Sequence, residues 1–493
     1  MLPHISNQAE YKDFLEREEA KLSRAEKNIL ARRKYSKAKD KMLLMEPERA
    51  HDLFASSYSH TGRSAHDPVI ILRSFILMPH FGYTSVDVWV NDVKEDNLLQ
   101  LLIGADKKKG VPSVGTHYGF INRLTNSDPH MNELYPKGKN LLCNKDKEDN
   151  TGITQELAEK YQTNPKYDLD RWSRKLEELY NLVIVQPFLE KLLEKNLPLK
   201  EFILSGDGTC LHIHSNPNGN RVKNPIDDQH SYRYTAPTAD WGKDWGENGK
   251  HLEDYFGFNL FIISLHGYKI DVPLYFGIHP ASENECRHMV TDLNRMLQIS
   301  PNAKPRFMCY DKAGDSDPMR KHLKYHGIIP IIPLKKNRKK RPQLELPQSK
   351  KDEHDEPLEY INEDRYPVCM YGEAMSRDGH DNSKNMTKYR CPLKTGKVKE
   401  RPHDSVYNKT AYGRVVKIPD NLEDALYVPV DYHSKQWKKR YNNRTSCERM
   451  NNRVLNNYDV QHLTCRNESK HLFFAMMAGM NVHLDAWLKQ LAA

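Results

Sequence analysis

Residues 202–214 read FILSGDGTCLHIH, an apolar run that sets Asp207 between two glycines. A second apolar run, PRFMCYD, ends in Asp311 ahead of the glycine-containing stretch YDKAGDSD. Two adjacent strands ending together would place both carboxylates at one edge of a sheet, where they repel each other and call for a cation. Hard divalent ions prefer carboxylate oxygen, and Mg²⁺ keeps waters beside one or two protein ligands. Two such ions, about 3.5–4 Å apart, hold the attacking and leaving oxygens of a phosphoryl displacement. That chemistry asks for a third carboxylate.

The segment YNNRTSCERMNNRV supplies one. Read as a helix over 441–455, it sets Tyr441, Arg444 and Glu448 on one face. Tyrosine, arginine and glutamate in this spacing, with two aspartates upstream at strand ends, resemble the DDE transposases of bacterial insertion sequences, in the branch with a Y-x2-R-x3-E signature. LSGDGT resembles the first aspartate motif of that family, and FMCYDKAGDSDPMRKHLKYHGIIPIIPLK resembles the second. The resemblance runs along most of the chain. It implies a ribonuclease-H-like catalytic core with Asp207, Asp311 and Glu448 as catalytic residues and metal ligands. It implies two Mg²⁺ ions, with Mn²⁺ able to substitute. It further implies DNA 3′-end cleavage and strand transfer, with terminal inverted repeats and target DNA as partners, and a homodimer in a synaptic complex. Tyr441 and Arg444 would lie against backbone phosphates. The family often carries a lysine seven residues after the glutamate, where this chain has Leu455; Arg449 and Arg453 are the nearby basic residues that could take over that phosphate contact. A nuclease without strand transfer and a non-catalytic DNA-binding descendant are the alternatives.

Plainer readings compete at each position. Asp207 beside glycine could be a turn aspartate. Asp315 and Asp317 compete with Asp311; the strand-end position favours Asp311, and Asp315 reads as a turn or helix-start residue. Arg444 and Glu448 could be an ordinary surface ion pair, which leaves Tyr441 unexplained. Cys369, Cys391, His380 and His403 lack the close pairing of a zinc knuckle. HPASENECRH, with His279, Glu283, Glu285, Cys286 and His288, reads as a loop and helix start rather than a second metal site.

The elements that must position these groups divide the chain. Residues 1–125 read as helical and as a DNA-binding region: a charged stretch to residue 50, then an Asp-Pro helix start at 67 and apolar residues at helical spacing, with a further helix starting near Ser113 and Thr116. A helix-turn-helix reader fits this pattern, as does a plain helical domain. Residues 126–198 read as a polar linker and an amphipathic helix. From 199 to 335 the order is strand, hairpin, helix, strand, helix, strand, with a tight turn at HGYKID, which is α/β with a mixed sheet. Residues 336–435 interrupt it as a loop-rich β module opening on the basic run KKNRKKR, and 436–493 return to the core as helices.

Bulk composition fits without deciding. The 493 residues exceed one ordinary core. Basic residues number 75 against 66 acidic, a net charge of +9 that suits a polyanion as well as many enzymes. Mean hydropathy is −0.80. No apolar run is long enough to span a membrane, and no apolar signal core is present. Eight scattered cysteines point to a reducing cytoplasm, with the protein on the nucleoid when bound to DNA.

Overall fold

The computed structural model describes residues 4–62, 64–105, 110–125, 134, 150–223, 230–245, 250–303, 305–335, 344–346, 359–362, 366–381, 383–392, 412–419, 430 and 434–491. The basic residues 336–341 and His403 lie outside them. The chain forms two compact units, Met1–Arg306 with Arg444–Ala493, and Phe307–Asn443.

The first unit opens with helices α1 (Gln8–Glu19), α2 (Arg24–Leu30), α3 (Arg33–Leu44), α4 (His51–Ser56), α5 (Pro68–His80), α6 (Val86–Glu95), α7 (Asn97–Ile103) and α8 (Val114–Leu124). Capping chemistry sets their starts. Asn7 and Ser23 each form a capping box, with Glu10 and Glu26 respectively. Asp67 accepts from the Val69 amide at 2.9 Å, and Ser113 from the Thr116 amide at 3.2 Å. Helix α5 is buried along nearly its whole length, from Pro68 to Met78. A helix that is apolar on every face needs cover on every side.

The next helices are α9 (Asn150–Thr163), α10 (Arg174–Tyr180) and α11 (Gln186–Glu194), the last two joined by a π turn at Asn181–Val185. Strands β1 (Ile203–His212), β2 (Asn220–Lys223), β3 (His230–Arg233), β4 (Asp240–Trp245), β5 (His251–Gly267) and β6 (Ile270–Pro280) follow, then α12 (Glu285–Ile299). The long β5 is the spine: β1, β4 and β6 all pair with it antiparallel. Its centre, Phe258 to Leu265, is almost wholly buried, as a strand covered on both faces must be. Tyr268 and Lys269 make the β5–β6 turn with φ of 51° and 64°, the left-handed pair that a two-residue hairpin demands.

In the second unit, β7 (Phe307–Cys309) and β8 (Ile329–Ile331) pair parallel across α13 (Asp317–Tyr325). Short strands β9 (Leu344–Glu345), β10 (Tyr360–Ile361) and β11 (Pro367–Val368) form one sheet, and β12 (Ser376–Asp381), β13 (Met386–Arg390) and β14 (Val415–Pro419) another. Leu346, Ile361, Cys369, Met375, Tyr389, Cys391, Val416 and Ile418 give these strands a core of their own. Cys369 and Cys391 are thus packing residues, and the seven described cysteines are all free.

Helix α14 (Lys435–Tyr441) closes the second unit; α15 (Thr445–Asn452) and α16 (Glu468–Leu491) return to the first. Phe473 of α16 meets Phe75 of α5 edge-on, with centroids 4.7 Å apart. On α16 as well, Asn481 donates to Ile76 O, and His483 bonds Pro273 O of β6 at 2.6 Å. One apolar helix thus ties the N-terminal helices to the sheet. No described helix is long and apolar enough to cross a membrane. Antiparallel and parallel strands with helices on their faces make a mixed α/β fold with an N-terminal helical region, as the sequence predicts.

Candidate active site

Alternation along β1 explains why Asp207 stands between glycines. Residues 205, 207 and 209 share one face, and 206 and 208 the other. A Cβ on Gly206 would lie 2.9 Å from Phe261 Cζ and 3.2 Å from Met289 Sδ. One on Gly208 would lie 2.5 Å from Asn259 Oδ1 and 2.8 Å from Glu285 Oε1. The glycines let α12, which carries Glu285 and Met289, sit close against one face. Asp207 projects from the opposite face.

That opposite face carries α15. Buried hydroxyls pin the helix: Ser446 Oγ lies 2.6 Å from Ser205 Oγ on β1, which is 3.0 Å from Ser264 Oγ on β5. Further along the same helix, Asn451 Nδ2 donates to Asp207 Oδ2 at 3.0 Å. Between these two anchors sits Glu448. It is half exposed and held by Arg444 Nη2 at 2.8 Å. Burial and the nearby Asp207 carboxylate push the Cys447 thiol up to about 12, so it stays neutral beside the site.

The other predicted residues are placed as follows. Arg449 meets Asp271 Oδ2 through Nε at 2.9 Å and Nη2 at 2.8 Å, and Arg453 Nη1 donates to Asp271 O at 3.2 Å. Both therefore lean on the β5–β6 hairpin. Arg453 also lines a cavity of about 360 Å³ with Lys37, Lys269 and Lys489, against Asp271 and Asp485. Leu455 lies in a π turn at Arg453–Asn457. The expected single helix over 441–455 is in fact four pieces: α14 ends at Tyr441, a 3₁₀ turn covers Asn442–Arg444, α15 runs from Thr445 to Asn452, and the π turn follows.

In the second unit, Asp311 follows β7. Its Oδ1 accepts from the Ala313 amide at 2.7 Å, a short cap that fixes the carboxylate direction. Cys309 Sγ donates to Arg440 O at 3.1 Å, and the Arg440 guanidinium lies 4.3 Å from the Phe307 ring centroid. The strand bearing Asp311 and the helix bearing Tyr441 are thereby packed together. Tyr441 stacks on Trp437 with centroids 4.9 Å apart. Asp315 is buried instead: it pairs with Arg320 at 2.9 Å and accepts from the Lys335 amide at 2.7 Å. Its oxygens serve the loop.

Each unit thus joins an acidic strand to one part of the segment read as a single helix: Asp207 with the helix of Glu448, and the Asp311 strand with the helix of Tyr441. Carboxylate oxygens held by caps and an amide donor on regular elements are the donor set a hard divalent cation takes. The sequence reading missed Asn451, although it lies three residues beyond Glu448 and so on its helical face. It missed the serine cluster too, although Ser205 shares the strand face of Asp207.

Two family models match the chain. One is described as a transposase DDE domain and covers residues 203–481; the other is described as a transposase domain (DUF772) and covers residues 37–123. Comparison with curated proteins and with solved structures gave no match. The first match spans more than half of the chain, from β1 into α16, and the chain belongs to the family of DDE-domain transposases.

Proposed function

We propose that this transposase cleaves DNA at the 3′ ends of its own element and joins those ends to target DNA, using divalent cations held by Asp207, Asp311 and Glu448. Two Mg²⁺ ions are the natural occupants, with Mn²⁺ as a substitute. When bound, such ions supply a lowered pKa for an attacking hydroxyl and charge stabilisation for the leaving 3′ oxygen. The observation that carries the reading is the Asn451–Asp207 hydrogen bond: it fastens the helix of Glu448 to the strand of the first aspartate.

The chain's own groups have distinct parts in this scheme. Asn451 orients the Asp207 carboxylate, and the cap on Ala313 orients that of Asp311. Arg444 neutralises Glu448 at rest and offers its planar fork to a DNA phosphate. Tyr441 presents a hydroxyl from a ring braced by Trp437. Arg449 is held at the hairpin as a second phosphate contact. Arg453, with Lys37, Lys269 and Lys489 around one cavity, gathers positive charge where the family lysine is replaced by Leu455. The N-terminal helices and the β-rich module would recognise the terminal repeats, and two copies would hold two DNA ends in a synaptic complex.

Pre-cleaved element ends separate the two enzymatic readings. Supplied with 3′-hydroxyl ends, target DNA and Mg²⁺, the protein should form joined products. Cleavage of intact ends without any joining would leave a nuclease in place of a transferase.

A further inference from the structure

On the face of the sheet opposite α15, the end of β6 meets the start of α12. Three potential ligands converge there, His279, Glu283 and His288, with one donor atom from each lying within 4.8 Å of the others. His288 is wholly buried, and neither of its ring nitrogens makes a hydrogen bond. Its Nε2 stops 3.6 Å from Glu283 Oε2. A buried imidazole left in this state loses the partners it had in water. His279 is buried as well, and its ring lies parallel to that of His288 with centroids 4.0 Å apart.

The surroundings favour a ligand role. His279 Nε2 is 2.8 Å from Asp292 Oδ2, and Asp292 is itself wholly buried. A carboxylate on one ring nitrogen fixes the tautomer and turns the other nitrogen outward as a base, which is the usual arrangement behind a metal-bound histidine. That other nitrogen, Nδ1, lies 3.9 Å from Glu283 Oε2. Asp292 Oδ2 sits in the space that a Cβ on Gly277 would fill, so the glycine makes room for this carboxylate. Two imidazoles and one carboxylate are the ligands of a borderline ion such as Zn²⁺, unlike the all-oxygen set proposed for catalysis.

We propose that His279, Glu283 and His288 form a Zn²⁺-binding site, with Asp292 supporting His279, which clamps the β6–α12 connection. Binding would draw the three donors to about 2.0–2.2 Å from the ion and turn the rings out of their parallel stack. A fourth position would remain for water. The site stands apart from Asp207 and Glu448 in sequence, in donor chemistry and in the face of the sheet it occupies.

The test uses the full-length chain carrying Asp207→Asn and Glu448→Gln, so that ions at the catalytic carboxylates do not contribute. After chelator treatment and dialysis against Zn²⁺, elemental analysis should find one zinc per chain, and X-ray absorption should find two imidazoles in its shell. Zinc should also raise the melting temperature. Glu283→Gln, at the partly exposed ligand, should lower zinc affinity at least tenfold while the apo protein keeps its melting temperature, and Asp292→Asn should lower it about 10–100-fold. His288→Asn should abolish both the binding and the thermal shift. A parent chain that retains no stoichiometric zinc, or zinc binding unchanged by Glu283→Gln and His288→Asn, overturns the proposal. DNA cleavage by the unmutated chain is a separate reading, and its failure would leave this result intact.

Discussion

Replacing Asn451 by leucine removes an amide donor from Asp207 while keeping side-chain volume close to that of the native residue. Asn451 is almost fully buried, and its Oδ1 already lacks a hydrogen-bond partner, so an apolar substitute leaves no new orphan on its own side. The bond it loses, 3.0 Å long to a carboxylate, belongs to the class worth about 1.5–3 kcal/mol. At about 1.4 kcal/mol per factor of ten, that is about a 10–150-fold change in any equilibrium that depends on the carboxylate's orientation. Loss of a partner behind a metal ligand costs about 10–100-fold in metal affinity, so two independent routes give the same range. The assay is cleavage of end-bearing DNA as a function of Mg²⁺. The midpoint should move up about 10–100-fold, with most of the maximal rate regained at saturating Mg²⁺. A folded Asn451→Leu protein with an unshifted Mg²⁺ midpoint would refute the assignment of Asp207 as an ion ligand oriented by Asn451.

Three further outcomes follow from the geometry. Asp311→Asn should abolish cleavage with little change in melting temperature, whereas Asp315→Ala, which strands the buried Arg320, should cost about 3–5 kcal/mol of stability; the reverse pattern in activity and calorimetry would exchange their roles. Burial holds His471 and His483 down to about 4, below the unfolded value of about 6.5. The unfolded chain therefore binds these protons first, and stability should fall as pH drops from about 6.5 to 4, by up to roughly 3 kcal/mol for each histidine; a melting temperature flat across that window contradicts their neutral burial. Lys269→Gly relieves one of the two positive-φ residues of the β5–β6 turn and should stabilise the fold by about 1 kcal/mol, while weakening DNA retention in a salt titration if the cavity beside Arg453 takes a phosphate.

Much of the scaffold is written in local chemistry. Asp67 and Ser113 are helix caps, and the caps appear where those residues stand. The turn at Tyr268–Lys269 likewise appears as read, whereas the strand expected to end at Asp207 runs on to His212, because Gly208 to His212 keep pairing with β5, and Asp207 stands in mid-strand. Elements with weak local signals were less legible. Residues 150–163, whose polar composition reads as linker, form α9, because Ala158 and Tyr161 pack on Val290 of α12, a contact far away in sequence. The helix expected over 441–455 breaks at Asn442–Arg444, where Asn442 and Asn443 have low helix propensity.

The site was legible in part for the same reason. Apolar runs that lead into Asp207 and Asp311, and a helical spacing at Glu448, identify the three as candidates, since each signal lies within a few residues. The groups that hold them are distant in sequence. Ser205, Ser264 and Ser446 come from two strands and a helix, and a lone serine carries no mark of its partners. The division of roles between Asp311 and Asp315 rests on Arg320, five residues beyond Asp315, which sequence position alone could not weigh. The pairing of His279 with Asp292 joins β6 to α12 in the same way; from sequence the segment reads as no more than a loop and a helix start.

The central claim is that Glu448, on the helix pinned by Ser446 and Asn451, completes a set of three metal-binding carboxylates. Its most direct test compares the unmutated chain with Glu448→Gln on DNA carrying the element's own ends, with Mg²⁺ present. Cleavage and joining by the unmutated chain, both lost in Glu448→Gln while DNA binding persists, is the predicted result. Equal cleavage by both proteins would contradict the claim.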